Sequence, residues 1–220
     1  MTKQLIIGLV GEGPTDYRFL NSIIRRTFEA IALECTSDLE ILDIQNIKTA
    51  KTNFAEDMLA ASITGYQEKG LSILCIHSDA DAKNDKNVFK HKISPAIKRI
   101  KEFQGESCKM VVPVVPVTMT ESWMIADDNL FKDEVGTNLT YQQLGLNKRS
   151  ETLSNPKQNL VDAIRQVIED NPRRKGLKLG ELYLPIGQKA DLSKLAQLTS
   201  YQKFTEAVRF AFKELNIIHE

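Results

Sequence analysis

Two acidic stretches carry the chemistry legible in this sequence. Gly8-Leu9-Val10-Gly11-Glu12-Gly13-Pro14-Thr15-Asp16 follows an apolar run and opens an amphipathic segment. Leu74-Cys75-Ile76-His77-Ser78-Asp79-Ala80-Asp81 is a second apolar run that ends in acids. Short continuous apolar runs read as parallel strands covered on both faces. An open α/β sheet binds its ligands beyond the carboxyl ends of such strands. If the two strands are neighbours, Glu12, Asp79 and Asp81 converge, and Asp16, about one helical turn past Glu12, faces the same place. Oxygen ligands of this kind select Mg²⁺ or Mn²⁺. Without a cation, clustered carboxylates repel one another and their pKa values rise. The chemistry implied is that of phosphate esters: a metal polarises a phosphodiester and lowers the pKa of an attacking water. Glu12, Asp79 and Asp81 are the candidate catalytic acids, with Glu12 placed to shuttle a proton. The glycines flanking Glu12 leave room for a phosphate backbone.

Each feature also has a plainer reading. Glu12 could cap the following helix, and Asp79 and Asp81 could be a solvated loop. Glu121 could hold a second metal, completing a clamp on attacking and leaving oxygens, or it could cap its helix or pair with a lysine. Lys83, after the second acidic stretch, and Arg173-Arg174-Lys175, in a Pro/Gly-bounded loop, are candidate phosphate contacts that read equally well as exposed cations. The basic run from Lys83 to Lys101 is mostly a solvated helix face. Neither basic stretch is interleaved with aromatics, so only salt-dependent backbone contacts are indicated. Trp123 reads as core rather than as a stacking platform. His77, His91 and His219 share no spacing that suggests a ligand set, and no Ser-His-Asp or Cys-His arrangement is present.

The elements that position these residues alternate. Strands are expected over 4–10, 39–47, 71–77 and 109–117, with the second near an edge and the fourth at one, because its two prolines cannot donate ladder hydrogen bonds. Helices are expected from about Thr15, read as the N-cap, over 53–68 to Gly70, through much of the basic run, and from Glu121. The architecture implied is a doubly wound, mostly parallel four-stranded α/β sheet spanning residues 1–130. Residues 131–154 read as loops. Helices from Asn155-Pro156 and over 201–215 make 131–220 a mainly helical extension packed on the sheet. Lys and Arg together number 29, as do Asp and Glu, so formal net charge is zero and a whole-chain basic field for nucleic acid is excluded. Three scattered cysteines lack zinc spacing, and no apolar run could span a membrane. These features suit a reduced, cytoplasmic, soluble protein.

Val10-Gly11-Glu12-Gly13 and Asp79-Ala80-Asp81 together resemble the TOPRIM domain shared by topoisomerases, bacterial primases and overcoming-lysogenization-defect nucleases. There a strand ends in Glu within a Gly-rich turn and a later strand ends in Asp-x-Asp. The nuclease members carry an acid four residues past the Glu, which Asp16 matches. Pro116-Val117-Thr118-Met119-Thr120-Glu121-Ser122-Trp123 and Asn155-Pro156-Lys157 are similar to segments of small bacterial TOPRIM-like proteins often encoded beside an ATPase. Lys189, in Ile186-Gly187-Gln188-Lys189 ahead of a helix, resembles the late lysine of the nuclease members. The resemblance covers residues 4–130 well and the remainder loosely. It implies a TOPRIM/Rossmann-like fold and a Mg²⁺- or Mn²⁺-dependent nuclease acting on DNA or RNA, with a role in phage defence beside a co-encoded ATPase. The alternative it leaves open is a non-catalytic nucleic-acid or nucleotide-binding module within an ATPase complex.

Overall fold

The computed structural model describes residues 3–35 and 38–217; His219 lies outside them. The elements run β1 (Lys3–Leu5), β2 (Ile7–Val10), α1 (Pro14–Ala32), β3 (Leu39–Ile41), β4 (Gln45–Asn46), α2 (Phe54–Lys69) and β5 (Ile73–His77). Next come α3 (Lys86–Val88), a π-helical turn (Phe89–Ile93), α4 (Ser94–Glu102) and β6 (Val111–Val114). The remainder is α5 (Glu121–Met124), α6 (Asp128–Val135), α7 (Pro156–Asp170), α8 (Leu179–Lys189), α9 (Leu192–Leu195) and α10 (Thr199–Glu214).

The four-stranded sheet has the order β4-β2-β5-β6 and every pairing in it is parallel. β1 runs into β2 through Ile6 and pairs in parallel with β3, extending the same two strands backwards. The architecture is α/β, with a mostly parallel Rossmann-like sheet flanked by helices and a helical C-terminal region. The strand alternation explains the unbroken apolar runs. Ile7, Leu9, Ile73, Cys75, Val112 and Val114 face one buried cluster, with α1 and the C-terminal helices. Val10, Leu74, Ile76 and Val115 face a second, with α2 and α4. Both faces are dry, so neither strand shows a polar alternation. Cys75 is fully buried in this core, and burial pushes its thiol well above the ordinary range.

β6 is an edge strand and carries Pro113 opposite Ile76, as its composition requires. It is shorter than the expected 109–117, and the 39–47 strand is split into β3 and β4 by an unpaired stretch. Two further expectations need correction. The cap of α1 is Gly13, not Thr15, because Pro14 takes the first helical position, where its missing N–H costs nothing. Residues 131–154 are not all loop: α6 crosses residue 130, capped by Asp127 and ended by Gly136 in the left-handed region (φ 66°). Eight residues are too few to display a helical period.

The C-terminal helices complete the core on one face of the sheet. Trp123 is fully buried, its ring edge-on to Tyr201, and its indole N–H donates to Ser200 Oγ at 2.8 Å. Ser200 Oγ in turn donates to Glu151, which also accepts the first backbone N–H groups of α10. A buried indole needs such a partner. Trp123 is therefore core, and α10 is pinned over β6 by it. Among the described residues no helix is long and apolar enough to cross a membrane.

Candidate functional site

β2 and β5 pair with Val10 opposite Ile76, so the chain leaves the sheet side by side at Gly11-Glu12 and at Ser78-Asp79. Asp16 folds back over this edge, its Oδ2 accepting the Gly13 N–H at 2.7 Å. The turn after β6 delivers Thr120 and Glu121. Two loops are zipped together to make that turn. Asp81 N–H donates to Thr118 O at 2.9 Å, Thr118 N–H to Ala82 O at 3.0 Å, and Ala80 N–H to Pro116 O at 3.1 Å. Asp81 (φ 50°) and Thr118 (φ 64°) both sit in the left-handed region. For a β-branched residue such as Thr118 this is strained backbone, of the kind that clusters at functional sites.

Asp79 lies at the centre. Its Oδ1 accepts the Thr120 N–H at 2.9 Å and the Thr120 hydroxyl at 3.2 Å. His77 Nε2 stands 3.6 Å from the same oxygen and 3.9 Å from Asp16 Oδ1, with Thr120 Oγ1 at 3.4 Å. The other ring nitrogen, Nδ1, is 3.0 Å from Val114 O. A carbonyl only accepts, so Nδ1 carries a hydrogen and Nε2 is the nitrogen presented to the acids. Burial pushes the Asp79 carboxyl up to about 7; His77 opposes the shift, and Glu12, Asp16 and Glu121 add to it.

The outer acids are held individually. Glu12 Oε1 accepts from Ser78 Oγ at 2.9 Å and lies 3.8 Å from Lys92 Nζ, which itself donates to Ser78 Oγ at 3.1 Å. Lys51 donates to the Glu12 carbonyl at 2.6 Å. Lys92 comes from the π-helical turn, a local distortion frequent at functional sites. Glu121 is buried, accepts the Tyr183 hydroxyl, and has Lys157 Nζ at 3.8 Å. Burial and Glu121 push the Tyr183 phenol well up, so it remains a donor. Beside Glu12 and His77 opens a cavity of about 340 Å³ toward α2, lined also by Lys51 and Phe54.

Of the residues singled out in the sequence, Glu12, Asp16, Asp79 and Glu121 are brought into one electrostatic cluster. Asp81 is exposed and is not among the charges that raise Asp79. Lys83 is exposed on the loop beyond it. Arg173 and Arg174 are exposed in a 3₁₀ turn after α7, and the Arg174 guanidinium fills the space a Cβ at Gly136 would need. Lys189 stands just before α9. It ends α8 and pairs with Glu134 at 2.7 Å.

Sequence reasoning passed over His77, Ser78, Lys92, Lys157 and Tyr183 as site residues. For His77 and Ser78 a signal existed, since both directly precede Asp79 at a strand end.

The donor set suits a hard divalent cation in type: four carboxylates and no thiolate. In spacing it is not assembled. Among the described residues no group of three or more acidic, His or Cys side chains is drawn close enough to hold a metal ion. Serine, threonine, tyrosine and lysine groups supply the compensation instead.

No family model, curated protein or solved structure matches this chain.

Proposed function

We propose that the strand-end cleft is a Mg²⁺- or Mn²⁺-dependent phosphodiester site and that the protein is a nuclease of TOPRIM type. The observation that carries this is the convergence of Glu12, Asp16, Asp79 and Glu121 from three adjacent strand ends around a carboxyl that burial pushes up to about 7. Clustered carboxylates raise one another's pKa values, and a carboxyl so perturbed in a cleft is a mark of functional sites. Glu12, Asp16 and Asp79 would hold the ion, with Glu121 at a second position. When bound, the ion would supply charge stabilisation at the phosphoryl oxygens and an activated water. The chain's own groups do the rest. His77 Nε2 holds or accepts a proton beside Asp79. Thr120 fixes the orientation of the Asp79 carboxylate, and Lys92 and Lys51 offer positive charge to a phosphate approaching Glu12. A role in phage defence beside a co-encoded ATPase belongs to the same proposal.

One observation favours a second reading, a non-catalytic nucleic-acid or nucleotide-binding module. Glu12 and Glu121 already have cationic neighbours of their own in Lys92 and Lys157. Plasmid nicking and RNA cleavage, measured with Mg²⁺, with Mn²⁺ and with EDTA, and with and without the ATPase partner, separate the two. Metal-dependent cleavage supports the nuclease. Its absence under every condition leaves the binding module.

A further inference from the structure

The cavity between the acid cleft and α2 is the part of this region that the acids do not use. It measures about 340 Å³ and opens to solvent. Val10, at the end of β2, and Met58, from α2, line it and are buried. Phe54, the first residue of α2, also lines it and is only half-buried. Thr49, Thr52 and Asp57 supply polar atoms. The Asp57 carboxylate accepts the Thr52 N–H at 2.8 Å and the Thr52 hydroxyl at 3.2 Å, which holds the loop against α2. An apolar lining with a few placed polar groups is the ordinary make-up of a small-molecule site, and this volume lies at the lower end of their range.

Three observations join this cavity to the cleft. Glu12 and His77 belong to both, so a group held in the cavity lies directly beside the acids. Lys92 Nζ, 3.8 Å from the Glu12 carboxylate, also stands over the Phe54 ring, 5.9 Å from its centroid. Lys51, from the loop between β4 and α2, lines the cavity and donates to the Glu12 carbonyl. Its φ of 59° is in the left-handed region, which a lysine rarely adopts and which recurs at ligand-binding sites. The fold thus sets an aromatic ring beside two lysines, although the basic stretches of the sequence contain no such interleaving. A partly exposed ring beside cations is how unpaired bases are bound, because every base has a π-face to stack. In an intact duplex both faces of each base are already stacked, so only an unpaired or extruded base can enter.

We propose that this cavity receives one unpaired nucleobase stacked on Phe54, and that the nucleic acid served by the cleft is unpaired at that nucleotide rather than intact duplex. The proposal rests on the phosphodiester reading of the acids and names the substrate class for it. Lys92 and Lys51 meet the phosphate next to the base, while Thr49 and Thr52 offer hydroxyls to its edge. The zero formal net charge agrees with this. Holding a duplex by its backbone draws on many phosphate contacts, whereas a stacked base gives a hold that does not depend on charge.

The test uses the full chain and labelled oligonucleotides, read by fluorescence anisotropy in EDTA and in Ca²⁺ so that binding is separated from cleavage. The probes are a single strand, the matching duplex, and a fully abasic strand of the same length, which keeps the phosphates and lacks the bases. The single strand should bind about tenfold or more tighter than either other probe. Phe54→Leu keeps apolar bulk at a half-buried position and should lose about tenfold for the single strand only; Phe54→Trp should retain the affinity. Lys51→Asn, whose new residue tolerates the left-handed region, should weaken all three probes alike and in a salt-dependent way. No saturable binding, equal affinity for the three probes, or a Phe54→Leu loss that is absent or shared by the duplex would each overturn the proposal. Failure of the nuclease reading looks different. Base-dependent binding that needs Phe54, without cleavage under any condition, keeps the base site and removes the nuclease. Metal-dependent cleavage of duplex at full rate in Phe54→Leu keeps the nuclease and removes the base site. Circular dichroism of each variant confirms that a lost response is not lost folding.

Discussion

The two polar regions of this molecule are built on opposite principles. In the strand-end cleft each acid has been given its own protein partner: Ser78 for Glu12, the Gly13 amide for Asp16, Thr120 for Asp79 and Tyr183 for Glu121. In the open cavity beside α9, Lys148, Arg149 and Lys194 line the wall with one carboxylate, Asp128, and Lys194 also has Asp191 beside it. The cleft is thus preorganised and self-compensated, so a ligand there must compete with protein donors. The cavity's cations are spread over an open surface, where solvent supplies most of the compensation. Burial divides them too. The acids surround a carboxyl pushed up to about 7, whereas Lys148 and Arg149 are exposed and pay little desolvation.

The largest expected effect lies in the cleft. If it binds a divalent cation for catalysis, Asp79→Ala should lower metal-dependent cleavage by about 100-fold or more, since the ion supplies several kcal/mol of charge stabilisation. Glu12→Gln should do the same. Cleavage that survives Asp79→Ala at near wild-type rates would detach the acids from the chemistry and remove the basis for contrasting the two regions.

The next effect is a pH dependence of stability. Burial pushes the native Asp79 carboxyl up to about 7, against an ordinary value of 3.8. Between those limits the folded protein keeps a proton that the unfolded chain has released. The stability contributed by this proton is fully present below the ordinary value and is lost as pH rises through about 7. The limit is roughly 4 kcal/mol, reduced in practice because the carboxylate is partly exposed and shares its charge with three neighbours. Asp79→Asn keeps a neutral side chain at every pH. Its melting temperature should therefore fall less than that of wild type between about pH 5 and pH 8. Mn²⁺ should stabilise wild type more than Asp79→Asn at the upper end. Parallel curves without metal would mean that Asp79 is ionised throughout.

A third effect tests how the helical half supports the cleft. Gly187 of α8 lies against the α1 backbone, and a Cβ there would fall 2.6 Å from Phe19 O. No side chain can move aside, so Gly187→Ala must lift α8 off α1. A cost of about 1–3 kcal/mol is expected, together with loss of the Tyr183 contact one turn away. Gly180 of the same helix has nothing within 4 Å of its Cβ position. Gly180→Ala should be neutral or stabilising by about 0.4–1 kcal/mol. Differential scanning calorimetry of the pair decides it. Equal midpoints would show that α8 can shift without strain.

The comparison also marks what the sequence makes legible. β2 and β5 declare themselves because both faces of each are buried; that they are neighbours is left open by the sequence and supplied by the sheet order. From there Glu12, Asp16, Asp79 and Glu121 are found by counting past strand ends. Tyr183 and Lys157 are not, because they reach the cleft through tertiary packing of α8 and α7. α8 hides its own period behind Gly180, Pro185 and Gly187, and Gly187 is there for a reason no local pattern contains, its contact with the α1 backbone. His77 reads as one more strand residue until its ring is seen between Asp16 and Asp79. Lys92 is lost among its neighbours Lys90, His91 and Lys98, and only the π-helical turn sets it apart. The cation cavity is illegible for the same reason: Lys148-Arg149 and Lys194 are far apart in sequence and ordinary in type.

The smallest effect concerns Asp81, which the Asp-x-Asp pattern pairs with Asp79 but which the fold treats differently. Asp79 is mostly buried and bonded to Thr120; Asp81 is exposed and holds its place through its backbone, donating to Thr118 O at 2.9 Å. Its left-handed φ of 50° is tolerated by Asp and Asn, whose short polar side chains suit that region. Asp81→Asn therefore keeps the backbone and removes only the charge. Stability should change by less than about 0.5 kcal/mol, as for an exposed position. Cleavage should fall far less than in Asp79→Asn. Asp81→Val keeps no charge either but adds β-branching at a left-handed position, so it should be the less stable of the two, by about 1–2 kcal/mol. If Asp81→Asn instead abolishes cleavage as completely as Asp79→Asn while melting like wild type, Asp81 must turn inward when the metal binds. The cleft would then be less preorganised than its hydrogen bonds imply.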